Sequence, residues 1–306
     1  MAENTSTANR HPSVDSPAAV DTKHAPRRSP WPLAVVAALF IIIPFVFWYG
    51  TWFGRALTNG EIEKYLADES KPRYVQHALS QVAERIARHE PSVERFYPRV
   101  LSVSESASTD LRMTAAWVMG EEHKSEEFRA GLLRLLNDRE PIVRRNAALA
   151  LVRFGDRRGR LELRDMLRPF TVISPAEGTI VSALPPGAYV KRDATLTRLK
   201  LKDDGPPLDI RSPLVGRVEQ TSVKEGDAVR AGDGVAVLAP DADSVWEALR
   251  ALSVVGASED LPDVERYAGG MEGMPARIKQ QAALTVEAVK RRESQTSLPN
   301  DQPSMN

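Results

Sequence analysis

Between Ser174 and Leu238 the chain spells one pattern twice, and no other feature restricts its fold as much. Ser174-Pro175, Gly178, Ile180, Gly187, Val190, Leu196 and Leu199 return as Ser212-Pro213, Gly216, Val218, Gly226, Val229, Val235 and Leu238, at a constant offset that lengthens by one position after a single insertion. Each copy reads as short strands of alternating apolar residues punctuated by glycine turns. A single copy cannot cover its own apolar face. The two are therefore expected to close on each other about a pseudo-twofold as a flattened sandwich, with glycines where a turn needs positive φ or close backbone approach.

The run Val223-Lys224-Glu225-Gly226-Asp227-Ala228-Val229-Arg230-Ala231-Gly232-Asp233 resembles the characteristic turn of the biotinyl/lipoyl-type barrel-sandwich domains, and the likeness covers residues 170–240. The resemblance implies an all-β module with one of two uses. Swinging-arm carriers bear biotin or lipoate on a hairpin lysine, whereas membrane fusion adaptors keep the sandwich without the modification. Here the connection between the halves runs from Leu199 to Leu208, and its expected tip, Asp203 to Pro207, holds no lysine. Lys200 and Lys202 alternate with Leu199 and Leu201, as solvent-facing strand positions do. They are the only candidate acceptors, so the sequence favours a module with no cofactor. A tunnel-forming export adaptor would need a long helical hairpin between the halves, for which Leu201 to Ile210 is too short.

A second repeat flanks the first. Leu111-Arg112, Ala115-Ala116 and Met119 return at a fixed offset as Val143-Arg144, Ala147-Ala148 and Leu151, and Leu132, Leu135 and Leu136 return as Leu163, Met166 and Leu167. Apolar residues at three- and four-residue spacing mark helices. The segment from Asp138 to Asp156, entered through Pro141 and closed by Phe154-Gly155-Asp156, resembles a HEAT-type repeat. Further copies are expected at Lys71 to Leu101 and beyond the sandwich, where Ala248-Leu249, Leu252 and Val255-Gly256 resume the pattern. Such repeats bury their apolar faces only against stacked neighbours. The sandwich thus reads as an insertion in one helical solenoid, or as a module wedged between two halves of it.

From Ser29 to Gly54 no residue is charged, and Trp31 to Phe53 is almost wholly apolar. About 22 helical residues reach roughly 33 Å, enough to cross a hydrocarbon core. Trp31, Trp48, Tyr49 and Trp52 sit where interfacial aromatics would. The expectation is one uncleaved transmembrane helix. Lys23, Arg27 and Arg28 before it favour a cytoplasmic N-terminus, in the inner membrane of a bacterium with a periplasmic body.

The fold class expected is thus α+β and multi-domain: a transmembrane helix, a HEAT-like α-solenoid and a lipoyl-like barrel-sandwich. Its parts are a tail at 1–30, the span at 31–54, helical repeats at 58–168, the sandwich at 170–240, further helices at 242–292 and a second tail at 293–306. The 306 residues carry 41 basic and 41 acidic side chains, which gives no case for nucleic acid. Cysteine is absent, which excludes thiolate metal sites. His11, His24, His77, His89 and His123 form no metal-ligand spacing, and Gly269-Gly270-Met271-Glu272-Gly273 lacks the lysine of a phosphate loop. No catalytic residue is expected. The sequence reads as a non-catalytic membrane-anchored scaffold whose partners are other subunits of a membrane complex. The alternative is a carrier subunit of an enzyme. Expected partner contacts are the turn Glu225-Gly226-Asp227 and a concave solenoid face at Arg144 and Arg145, within an arginine-rich run that otherwise reads as a solvated helical face.

Overall fold

The computed structural model describes residues 38–40, 42, 43, 55–202 and 205–296. The chain divides into two units, Met1–Ala56 and Leu57–Asn306. In the first, residues 38–40, 42 and 43 are helical.

The second unit begins with α1 (Asn59–Leu66), α2 (Pro72–Ala87), α3 (Tyr97–Val103), α4 (Thr109–Glu121), α5 (Glu126–Leu135), α6 (Pro141–Arg153) and α7 (Arg160–Asp165). Local signals set their starts. Thr58 caps α1 in a reciprocal box with Glu61, Ser125 caps α5, and Pro72 and Pro141 occupy first turns where a missing N–H costs nothing. The even-numbered helices pack one on the next as a continuous layer, and the odd-numbered ones back them. Their shared core holds Leu79, Val82, Phe96, Leu111, Met119, Phe128, Leu132 and Leu151, all essentially inaccessible to solvent.

Eight strands follow: β1 (Phe170–Ile173), β2 (Gly178–Ala183), β3 (Tyr189–Val190), β4 (Thr195–Lys200), β5 (Leu208–Arg211), β6 (Gly216–Thr221), β7 (Ala228–Val229) and β8 (Gly234–Pro240). They form two antiparallel sheets, ordered β1-β8-β6-β3 and β5-β4-β2-β7. Exchanging the two halves of the sequence repeat turns one order into the other. The match extends to single hydrogen bonds. Ser174 N donates to Asp233 O and Ser212 N to Ala194 O, both at 2.8 Å, and Gly232 N and Asp193 N return to the two serine carbonyls at the same distance. Gly178 and Gly216 lie so close to the neighbouring strand that a Cβ would meet a carbonyl oxygen at 2.4 and 2.5 Å. No side chain fits at either position. Ile180, Leu196 and Leu199 of one half interleave with Val218, Val235 and Leu238 of the other as the core.

Three helices complete the unit: α8 (Ala242–Val255), α9 (Leu261–Ala268) and α10 (Ala276–Thr296). A single buried cluster joins Ala148, Leu163, Met166 and Leu167, from before the sheets, to Val245, Leu249, Leu252, Val264 and Ile278 after them. Tyr267 donates its hydroxyl to Leu167 O at 2.8 Å, and Arg168 forks Asp263 at 2.9 and 2.6 Å. The helical stack therefore runs past the β module without a break.

The expected transmembrane helix is corrected. Apart from residues 38–40, 42 and 43, the 31–54 segment lies outside the described residues, and among the described residues no helix is long and apolar enough to cross a membrane. Even α10, at 21 residues, carries Arg277, Lys279, Glu287, Lys290, Arg291, Arg292 and Glu293, charges that a lipid-facing span excludes. The fold class with a single-span anchor and the placement in a bacterial inner membrane, with a periplasmic body, are overturned together. The tails at 1–30 and 297–306 also lie outside the described residues.

Candidate functional site

A groove of about 740 Å³ runs over the even-numbered helical layer, where the β module leans beside it. Trp117 of α4, Ile142, Arg145 and Leu149 of α6, and Glu247, Arg250 and Val254 of α8 form its floor and far wall. Tyr189 of β3, with Leu214 and Val215 from the loop before β6, forms the near wall. Helical spacing explains the floor: 142, 145 and 149 are three and four residues apart and share one face of α6. Trp117, Tyr189 and Val254 remain 45%, 63% and 55% exposed. Three large apolar side chains facing one concavity are unusual for a surface that meets only water.

Charge in the groove is arranged around two features. At the start of α8 stand Asp241, Asp243 and Glu247; Asp241 caps the helix by accepting from the amides of Asp243 and Ser244. Desolvation, then the carboxylates of Asp241 and Asp243, raise Glu247 above its ordinary range. Opposite lies Arg145, with a side chain only 6% exposed. Its Nε has no hydrogen-bond partner, and its nearest carboxylate oxygen, Glu162 Oε1, is 3.9 Å away. Burial lowers the Arg145 pKa, opposed by Glu162 and Asp241.

Arg144, expected to face a partner, instead closes the fold. Its Nε donates to Glu162 at 3.0 Å, and its Nη1 donates to Asp138 O and Arg139 O at 2.9 and 3.2 Å. Others of the arginine-rich run stay partly exposed yet are each paired: Arg153 to Glu121, Arg158 to Asp156, Arg160 to Glu259 and Arg168 to Asp263. Arg145 does line the groove. Glu225 and Gly226 are exposed in the turn between β6 and β7, with Gly226 at φ 91°, and Asp227 accepts from the Lys224 amide at 2.9 Å. That turn is not among the groove's walls; its repeat mate, Pro186-Gly187-Ala188, leads directly into Tyr189, which is. Lys200 ends β4 exposed, and Lys202 pairs with Glu177 at 2.8 Å.

Sequence reasoning missed Trp117, Tyr189 and Val254. Trp117 directly follows the buried pair Ala115-Ala116 and so falls off the core face of α4, a signal that was available. Tyr189 was not recoverable, because only the docking of the sandwich brings it to the helices. Among the described residues no cluster of histidine and carboxylate side chains could hold a metal ion.

Residues 97–170, spanning α3 to the start of β1, match the family model described as HEAT repeats. HEAT repeats generally mediate contacts between proteins. No curated protein matches the chain. Among solved structures, it is similar to one described as "Structure and function of a single-chain, multi-domain long-chain acyl-coa carboxylase", at 23% identity over 33% of this chain and 11% of that one, with a TM-score of 0.22. A likeness of that size defines neither fold nor activity.

Proposed function

We propose that the chain is a non-catalytic adaptor that binds another protein in the groove between its helical layer and its β module. The observation that carries this reading is the convergence of exposed Trp117, Tyr189 and Val254, from three separate segments, on one concavity beside HEAT repeats. Aromatic side chains in a concave, partly apolar site are the usual anchors of protein interfaces. The β module serves in this reading as a rigid wall that narrows the helical surface. The competing reading, a carrier modified on Lys200 or Lys202, predicts an added biotinyl or lipoyl mass on the protein purified from its source.

Photo-crosslinking in source cells tests the adaptor. A crosslinking residue at Trp117, Tyr189 or Val254 is expected to capture the same protein, whereas one at Leu161, exposed on α7 outside the groove, is not. Equal capture from Leu161, or none from the three groove positions, overturns the reading.

A further inference from the structure

We infer that Arg145 is the anchor of this groove for a carboxylate of the bound protein. The inference rests on the adaptor reading and names the chemistry of its occupant.

The repeat shows how unusual the arginine is. Arg145 stands where the preceding repeat has Met113, which packs partly buried against the helical core, and in α8 the corresponding position is Trp246, also packed against its core. Among these three helices only α6 carries a charge at this position, and the fold leaves its Nε without a hydrogen-bond partner, with only the distant Glu162 carboxylate at 3.9 Å. A buried guanidinium has five N–H donors and strongly favours acceptors. Arg145 makes no hydrogen bond within the described residues, although Arg112 and Arg144 on the same helical layer make several each. Three other buried polar atoms lack a partner among the described residues. Arg164 Nε and Asp260 Oδ1 belong to side chains in each other's field, and Thr197 lies in the β core. Arg145 lines open space, both the groove and an adjoining cleft of about 190 Å³ beside Glu162, Asp165 and Arg168.

The neighbours select the anion. Glu162, Asp165 and Asp241 already offset part of the Arg145 charge from a distance, and Arg168 is engaged by Asp263. A dianion such as phosphate would meet the repulsion of these carboxylates twice over, which weighs more heavily against it than against a monoanion. One carboxylate would satisfy the planar fork and add a single negative charge, which is the geometry arginine matches best.

The test uses the full chain labelled with 15N at arginine, with sodium acetate, inorganic phosphate and sodium chloride as probes at matched ionic strength. The Arg145 Nε–H resonance, assigned by its loss in Arg145→Met, should move saturably with acetate, at a dissociation constant of about 10 mM as suits one charge-assisted fork. Arg145→Met restores the residue type of the preceding repeat, so it should melt no lower than the parent. Arg145→Lys, which keeps the charge without the fork, should weaken acetate binding several-fold. A resonance that ignores acetate, or moves equally with chloride, overturns the anchor; tighter binding of phosphate overturns the choice of carboxylate. An acetate response without groove crosslinks would sink the adaptor and leave the anion site. Crosslinks without an acetate response would do the reverse.

Discussion

Arg112 and Arg144 make the same bonds one repeat apart. Nη1 of Arg112 donates to Ser106 O and Ala107 O at 2.9 and 3.1 Å, and Nη1 of Arg144 to the matching carbonyls of the next repeat, Asp138 and Arg139, at 2.9 and 3.2 Å. Each arginine ties the loop that leads into its own helix and then reaches an acid further along the chain: Arg112 reaches Asp138 at the start of the next repeat, and Arg144 reaches Glu162 in the second helix of its own. These are the staples of the solenoid rather than its contact surface.

Truncating them should cost unequally. The Arg112–Asp138 pair is almost fully buried, so Arg112→Ala leaves a carboxylate stranded and should lose about 4 kcal/mol. Arg144 is a quarter exposed and Glu162 sees more solvent than Asp138 does, so Arg144→Ala should lose about 1–2 kcal/mol. Urea unfolding monitored by circular dichroism checks the order; equal losses would show that burial does not set the difference.

Acid should unlock the same stack. Burial works to raise the Asp138 carboxyl, but the Arg112 fork and the Glu140 amide outweigh it and hold it low. The Arg158 guanidinium, joined by Arg129, holds Asp156 well below the usual carboxylate range. Both groups bind protons more weakly folded than unfolded. Their stabilisation is therefore present above about pH 4 and lost as pH falls through the folded values. Denaturation midpoints should drop between about pH 4 and pH 2, and Asp156→Asn should flatten that slope at a cost of about 1 kcal/mol at neutral pH, kept small by the exposure of Arg158.

The β core contains one polar misfit. Thr197 is buried with its hydroxyl unpartnered, where the other half of the repeat has Ala236. Thr197→Val preserves shape and removes the unsatisfied group, so it should stabilise the protein by about 1 kcal/mol. A thermal melt showing a lower midpoint would mean the hydroxyl has a partner in solution.

Asp193 and Gly232 occupy matched turns at φ 66° and 92°. A Cβ at Gly232 would meet nothing within 4 Å. Gly232→Ala should therefore cost about 1 kcal/mol from backbone strain alone. Asp193→Gly should change stability by less than about 0.5 kcal/mol, because strain relief is offset by a freer unfolded chain. Paired melts of the two variants distinguish this from a packing effect.

The doubled strands and helix pairs were legible because their apolar periods repeat in the sequence itself: Ile180 and Val218, or Ala115 and Ala147, announce equivalent places in a core. The roles of the arginines were not. Charge patterning reads Arg144 as a solvated or partner-facing residue, and its ties to Glu162 and to the carbonyls of Asp138 and Arg139 form only once the repeats stack. Arg145 needed the alignment in a different way, since it signals by departing from Met113. The groove itself joins Trp117 to Val254, which lie far apart along the chain, and no local pattern encodes such a meeting.

The first and last strands of the β module are hydrogen-bonded neighbours, with Phe170 opposite Leu238. The helical stack therefore sees the whole module as a loop whose two feet stand side by side. Such a cartridge can be gained, lost or exchanged in a lineage without moving a helix, so its ancestry need not be that of the solenoid that carries it.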